Sequence, residues 1–285
     1  MSFVRQVWYH NLTQELTILN DRLFKFPMIA MDTEFPDFLR STSRGAPEEH
    51  LYQDLKFNLN HLKILQLGLT LMDENEHVGL SWVFTFSDFD EQTDFSSPTS
   101  IQYLKNKKQR KDGIPSAEFR HAFLPIFFSN QITKWITFHG IHDVAYLLKL
   151  MMIRTMPDSM VEFAIIAQCH LGTVNDLKHI IRNCEHLMNG ELGLKRLVEL
   201  LNVNDTIFNG GSDSLLIALA YAKMKKTLKF SPKITDGFLY GFHYRIQGYR
   251  TFCYPITYYP NSLSFQNFQQ SNNHRIILPK LIVFP

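Results

Sequence analysis

Two acidic residues near the amino terminus have a spacing that could bind a metal ion. Asp32 and Glu34 lie at the end of the apolar run PMIAMDTEF at 27–35, which predicts a buried strand. Residues i and i+2 of a strand point to the same face, so these two carboxylates would lie side by side. A divalent cation would offset their repulsion, and oxygen-only ligands suit Mg²⁺ or Mn²⁺. Alone, a D-x-E triplet is weak evidence, because such triplets occur on many protein surfaces.

Two further aspartates stand at predicted helix starts. Asp143 opens the segment DVAYLLKLMM directly after the predicted strand KWITFHG, and Asp213 opens a helix predicted over 213–229. Each has an ordinary structural explanation, since Asp near a helix N-terminus is favoured by capping and by the helix macrodipole. Their order after Asp32 and Glu34, however, matches the four acids of the DEDD exonucleases. In such sites two cations hold the scissile phosphate.

The elements that would position these acids form an α/β pattern. Apolar residues recur at helical spacing over 4–24, and three strands follow with short segments between them, which favours an antiparallel meander. Later strands alternate with helices, so the sequence predicts a mixed sheet covered by helices. The predicted strands are 27–35, 62–73, 80–89 and 134–140, and the other predicted helices are 116–128 (despite Pro125), 143–152, 159–170, 194–202 and 213–229.

Composition limits the possible classes of protein. The 285 residues are 45% hydrophobic and 20% charged, as in ordinary globular proteins, and the net charge of +2 is too small to indicate nucleic-acid binding by itself. Three cysteines without CxxC spacing argue against a disulfide framework or a structural zinc site. No apolar run approaches the roughly 18 residues that span a bilayer. We therefore expect an intracellular protein without a membrane segment.

The composition changes after about residue 241. The segment 242–285 is rich in Tyr, Phe, Asn, Gln and Pro and contains no convincing helical pattern. The sequence therefore predicts a folded domain over 1–241 and a carboxyl-terminal extension of uncertain order over 242–285. The basic run KNKKQRK at 105–111 is compatible with a solvated loop or with a contact to a phosphate backbone.

Five segments, in order and with nearly the family's spacing, resemble the Caf-one/Pop-two (Ccr-four-associated factor one) family. The resemblance runs from about Val7 to Gly241 and rests on IAMDTEFP (29–36), LKILQLGLTLMDE (62–74), FHGIHDVAYLLKLM (138–151), NDLKHI (175–180) and GSDSLL (211–216). It implies an RNase-H-like α/β fold, with an antiparallel meander and parallel strands flanked by helices. It also implies that Asp32, Glu34, Asp143 and Asp213 are the catalytic, metal-binding residues.

The resemblance further implies a function. It predicts a poly(A)-specific 3′→5′ exoribonuclease, an mRNA deadenylase, that uses two divalent cations, Mg²⁺ or Mn²⁺, and releases adenosine 5′-monophosphate. The implied partners are poly(A) RNA and the Ccr-four–Not complex, including its scaffold Not-one and its nuclease Ccr-four. The implied location is the cytoplasm and the nucleus. The preference for poly(A) comes from the resemblance alone, since no residue in the sequence can be identified as recognising adenine.

Several positions depart from the family pattern. Phe208 stands five residues before the last acid, where the family has a His that is the usual general base for the attacking water. Asp37 replaces a glycine, and His142 replaces a tyrosine. His142 could serve as a substitute base, and Asp176 could either ligate a metal or form hydrogen bonds.

These departures leave other hypotheses open. The alternative to an active enzyme is a weakly active or inactive scaffold subunit of the deadenylation complex, a hypothesis supported mainly by Phe208. A DNA-proofreading exonuclease would share the four acids, but it should not contain the GSDSLL and LKILQLG segments.

Overall fold

The protein is built on a mixed sheet of six strands. The computed structural model describes residues 4–43, 45–96, 111–129, 132–152, 155–182, 184, 187, 191–203, 212–228 and 235–248. Within these ranges the strands are β1 (Val4–Val7), β2 (Met28–Glu34), β3 (Gln66–Met72), β4 (Val78–Thr85), β5 (Lys134–Thr137) and β6 (Val174–Asp176). Their order across the sheet is β1-β4-β3-β2-β5-β6. The β2-β3-β4 meander is antiparallel, and the other neighbours are parallel. The predicted RNase-H-like mixed sheet is confirmed.

Helices cover both faces of this sheet. They are α1 (Leu12–Leu23), α2 (Glu48–His61), α3 (Ser116–Phe127), α4 (Ile141–Met152), α5 (Met160–Leu171), α6 (Leu177–Arg182), α7 (Leu194–Leu200) and α8 (Asp213–Leu228). The apolar faces of α1 to α5 pack on one side of the sheet, and those of α6 to α8 pack on the other. None of the helices in the described ranges combines the length and the apolar character that a bilayer span needs.

Strand alternation assigns each side chain of β2 to one of these two layers. Ile29 and Met31 belong to the core beneath α1 to α5, and Met28 and Ala30 belong to the core beneath α8. Because successive side chains of a strand point to opposite faces, the side chains of Asp32 and Glu34 lie on the same face as Met28 and Ala30, the face covered by α8.

Two elements near the amino terminus differ from the prediction. Residues Val4–Val7 form a strand rather than the start of a helix, because they pair in parallel with Ser81–Phe84 of β4. Val4 and Val7 are spaced i and i+3, which favours a helix, so the long-range pairing with β4 overrides the local pattern. The connection between β2 and β3 is not short, since it contains α2, whose buried residues include Tyr52, Leu55 and Leu59.

The packed part of the chain continues beyond the predicted boundary at 241. Phe242 and Ile246 are buried in the main core. The N–H of Val174 donates to the Ile246 carbonyl (3.2 Å), and the N–H of Gly237 donates to the Val174 carbonyl (2.8 Å), so this segment pairs with β6. A boundary at 241 therefore cuts through packed structure that reaches at least residue 248. Residues 249–285 lie outside the described ranges, and the division into domain and extension stays a prediction there.

Candidate metal centre

The end of β2 presents Asp32 and Glu34 beside an opening in the sheet. β2 pairs with β3 along its whole length to Glu34, but its pairing with β5 ends at Ala30. The two acids thus lie beyond the carboxyl end of the neighbouring parallel strand. In sheets with helices on both faces, ligand sites commonly lie outside the carboxyl ends of the parallel strands.

Helix α8 brings the third acid to the same place. Asp213 is the first residue of α8, and this helix packs across β2 and β3. Gly68 of β3 is the register partner of Asp32. A Cβ atom at Gly68 would lie only 3.0 Å from Ser214 Oγ and 3.2 Å from Ser214 Cβ. A glycine opposite Asp32 therefore lets the first turn of α8 approach the sheet.

The three carboxylates form a group that could hold a cation. One oxygen from each of Asp32, Glu34 and Asp213 lies within 4.8 Å of the others, and all three residues are half-buried. Within the part of the chain that the structure describes, no other group of His, Cys, Asp or Glu meets this criterion. Burial, followed by the charges of Asp143, Asp213 and Glu34, raises the pKa of Asp32 well above its usual range. Such a cluster favours a bound cation, because the cation removes the repulsion.

Asp143 approaches the end of β2 from the opposite face of the sheet. Its Oδ1 accepts hydrogen bonds from the Thr33 N–H (2.9 Å) and from Thr33 Oγ1 (2.6 Å), and Thr33 alternates with Asp32 along the strand. Burial raises the pKa of Asp143 to about 7, although the bonds from Thr33 lower it. The structure thus brings three of the four predicted acids into one group. The fourth, Asp143, lies next to this group and fastens α4 to β2 through Thr33. Its role in metal binding stays a prediction.

Asp176 anchors the turn that precedes α4. Its carboxylate is completely buried and accepts four backbone N–H bonds. The donors are His139 (2.8 Å) and Gly140 (3.1 Å) in the turn, Lys178 (2.8 Å) in α6 and Tyr240 (2.9 Å) after α8. His139 has a φ of 59°, in the left-handed region that costs energy for most residues. Of the two roles left open by the sequence, the structure shows hydrogen bonding for Asp176.

His142 belongs to an aromatic cluster beside the acids. Its ring stacks on Phe35, with centroids 5.8 Å apart, and meets Phe38 edge-on at 4.9 Å. Phe35 also stacks on Tyr146 at 4.9 Å. Burial lowers the pKa of His142 to about 4, so its imidazole is neutral and weakly basic near pH 7. This packing does not support His142 as the general base.

Asp37 occupies a backbone conformation suited to glycine. Its φ is 52°, in the left-handed region that Asp tolerates better than most residues. Its carboxylate accepts a hydrogen bond from the N–H of Phe38 (2.8 Å). The replacement of the family's glycine is therefore compatible with the same turn. Phe208 and all of the basic run except Lys111 lie outside the described residues.

Comparison with known proteins relates this site to one family. Residues 7–115 match the model of the CAF1 family ribonuclease. The chain is 33% identical over 258 residues to a probable CCR4-associated factor 1 homolog 7 from Arabidopsis thaliana, a match that covers 84% of this chain and 92% of that protein. It is 31% identical over 240 residues to the poly(A) ribonuclease pop2 of Schizosaccharomyces pombe, covering 79% of this chain and 70% of that protein.

Solved structures show the same fold. The Mg²⁺- and Mn²⁺-bound form of S. pombe Pop2p matches with a TM-score of 0.75 and 30% identity, covering 84% of this chain and 100% of that one. Yeast CAF1 co-crystallized with the NOT1 MIF4G domain matches with a TM-score of 0.69 and 24% identity, covering 83% and 96%. The extent of these matches, together with acids gathered at the end of β2, places this chain in the CAF1 ribonuclease family.

Proposed function

We propose that this chain is a poly(A)-specific 3′→5′ exoribonuclease that shortens mRNA tails and releases adenosine 5′-monophosphate. The observation that carries the proposal is the convergence of Asp32, Glu34 and Asp213 within 4.8 Å at the end of β2. A CAF1-family relative that is named a poly(A) ribonuclease supports the choice of reaction and substrate. The preference for adenine rests on that kinship.

The donor atoms of the site fit a hard divalent cation. Three carboxylates offer only oxygen, the ligand set of Mg²⁺ and Mn²⁺. Asp32, Glu34 and Asp213 would hold the metal, and we propose a second cation that also involves Asp143. When bound, the cations activate water and stabilise the charge that develops on the phosphodiester.

The remaining residues of the site position these ligands. Thr33 holds Asp143 against β2 through two hydrogen bonds, and Asp176 holds the turn that leads into α4. The proton of the attacking water needs an acceptor, and the family's His position is occupied here by Phe208. We infer that proton transfer is less assisted than in relatives with that His, which predicts reduced activity.

The same kinship suggests partners for the enzyme. One structural neighbour is CAF1 with the NOT1 MIF4G domain, and several relatives are named CCR4-associated factors. We propose that this chain works in the Ccr-four–Not complex with the scaffold Not-one and the nuclease Ccr-four. Action in the cytoplasm and the nucleus is part of the same proposal.

An inactive scaffold subunit is the less favoured function. Burial, followed by the charges of neighbouring acids, raises the pKa of Asp32, so gathering three half-buried carboxylates costs folding free energy. A protein that only connected partners would gain nothing from this arrangement.

Degradation of 5′-labelled oligo(A) tests the proposed function. The purified chain is incubated with Mg²⁺, with Mn²⁺ or with EDTA, and oligo(U) of equal length serves as the comparison substrate. We expect metal-dependent, stepwise shortening from the 3′ end, faster on oligo(A), and none with EDTA. Equal rates on both substrates would remove the poly(A) specificity, and no cleavage with either metal would favour the scaffold.

A further inference from the structure

Four hydroxyl side chains form a hydrogen-bonded cluster where α8 begins. This hydroxyl cluster consists of Thr70 on β3, Ser81 on β4, and Ser212 and Ser214 on either side of Asp213. The Thr70 hydroxyl donates to Ser81 Oγ (2.8 Å) and lies 2.9 Å from Ser214 Oγ. Ser212 Oγ lies 2.6 Å from Ser214 Oγ and 3.3 Å from Ser81 Oγ. The cluster therefore connects two strands of the sheet to both neighbours of a metal-centre acid.

The cluster lies in an otherwise apolar interface. Thr70, Ser81 and Ser214 are fully buried where α8 meets the sheet, and the helix's other contacts there are made by residues such as Ile217 and Met224. Apolar burial is non-directional, so it does not fix how far a helix slides or turns on a sheet. Hydrogen bonds are directional, and buried hydroxyls need partners at defined distances. The hydroxyl cluster therefore defines where the first turn of α8 sits.

Backbone hydrogen bonds also hold the first turn of α8 in this position. The N–H groups of Leu215 and Leu216 donate to the Ser212 carbonyl (2.9 and 3.3 Å), so Ser212 closes the first turn of the helix. Gly68, beside Thr70 on the same face of β3, leaves space for Ser214. Asp213 thus begins its helix with hydrogen-bonded neighbours on both sides.

We propose that the hydroxyl cluster positions Asp213 for cation binding, with Thr70 and Ser214 as positioning residues that do not themselves touch the metal. The inference rests on the proposed function, since it assigns Asp213 to the metal centre. Mg²⁺ tolerates little departure from its octahedral geometry, so a small displacement of α8 reduces metal affinity. Loss of such supporting hydrogen bonds typically weakens metal binding or activity about 10- to 100-fold.

Manganese binding to a matched pair of variants tests the proposal. Thr70→Val removes the hydroxyl and keeps the shape of the side chain, whereas Thr70→Ser keeps the hydroxyl. Titration of the full-length proteins with MnCl₂, followed by calorimetry or by the electron paramagnetic resonance signal of free Mn²⁺, gives the dissociation constants. We expect about tenfold or weaker binding for Thr70→Val, and binding close to wild type for Thr70→Ser.

Two further variants keep the test decisive. Ser212→Ala removes a half-buried hydroxyl, so it replaces Thr70→Val if that variant does not fold, and it should also weaken Mn²⁺ binding. Ser159→Ala is the control, because Ser159 caps α5 by accepting from the Glu162 N–H and should leave Mn²⁺ affinity unchanged.

The outcomes separate the positioning role from the proposed function. Wild-type affinity in both Thr70→Val and Ser212→Ala overturns the positioning role, and so does an equal loss in Thr70→Ser and Thr70→Val. A wild-type chain that binds Mn²⁺ but leaves oligo(A) intact contradicts the proposed function, while the comparison of affinities still decides the role of the hydroxyl cluster.

Discussion

Replacing Asp32 by asparagine should stabilise the metal-free protein while it abolishes metal-dependent cleavage. The side chain keeps nearly its size but loses its charge, and it loses one ligand of the proposed cation. Stability and activity therefore change in opposite directions, which a general folding defect would not produce.

The size of the stabilisation follows from the geometry of the acids. Two unit charges at the 4.8 Å limit of the group repel by about 3.5 kcal/mol at an effective dielectric constant of about 20. The raised pKa of Asp32 means that protonation already relieves part of this repulsion. We therefore expect a net gain of about 1–2 kcal/mol. At about 2–4 °C per kcal/mol for a chain of this size, this raises Tm by about 2–8 °C.

Thermal unfolding at pH 8 measures this effect, with EDTA in one series and MgCl₂ in the other. Wild-type protein should gain Tm on addition of Mg²⁺, because the cation binds the folded state. The Asp32→Asn variant should have a higher Tm than wild type in EDTA, and its Tm should rise little on addition of Mg²⁺. Asp37→Asn is the matched control, since it removes an acid from the following turn at a φ of 52° that Asn also tolerates. It should leave the response to Mg²⁺ unchanged.

Two results would refute this reasoning. A lower Tm of Asp32→Asn in EDTA would mean that the three acids do not repel one another in the folded chain. Full Mg²⁺-dependent cleavage of oligo(A) by the same variant would remove Asp32 from the metal centre.

Three other predictions follow from the site and its surroundings. The folded-state pKa of Asp143 is about 7, against the ordinary 3.8, so the stability of the metal-free protein falls as pH rises between these two values. The Tm gain from Mg²⁺ should therefore grow from pH 5 to pH 8. Phe208→His should raise the single-turnover rate on oligo(A) about tenfold or more, whereas His142→Phe, which keeps the aromatic packing, should leave it nearly unchanged. Truncation after residue 241 should lower Tm more than truncation after 248, because the shorter chain lacks the buried Ile246.

Each of these predictions has a contradicting result. A Tm gain from Mg²⁺ that stays constant between pH 5 and pH 8 would show that the titration of Asp143 does not influence Mg²⁺ binding. Loss of activity in His142→Phe, with no gain in Phe208→His, would make His142 the base after all. Equal Tm values for the two truncated chains would show that residues 242–248 add nothing to the stability of the core.

Local sequence patterns predicted the centre of the sheet better than its surroundings. The runs that became β2, β3 and β4 have strong strand character, and their meander was predicted correctly. β1 was missed, since four residues carry too little periodicity and only β4 supplies their partner. α2 could have been found, because Tyr52, Leu55 and Leu59 repeat at helical spacing.

The sequence indicates which acids could form the candidate site, but it does not reveal their geometry. The order of the four acids in the chain indicated the chemistry, and three of them converge. That Asp143 binds Thr33 from the other face of the sheet depends on the packing of α4, which no local pattern reveals. The hydrogen bonding of Asp176 likewise depends on donors such as Tyr240, far away in the sequence.

The pairing of Gly68 with Asp32, beneath the first turn of α8, has a consequence for the order of events during synthesis. A ribosome delivers Asp32 and Glu34 long before Asp213, so a nascent chain first contains only two of the three acids of the candidate metal centre. The third acid, Asp213, arrives only when α8 has been translated and has docked over Gly68. The group of three acids is therefore complete only after translation has passed α8 and this helix has docked on the sheet.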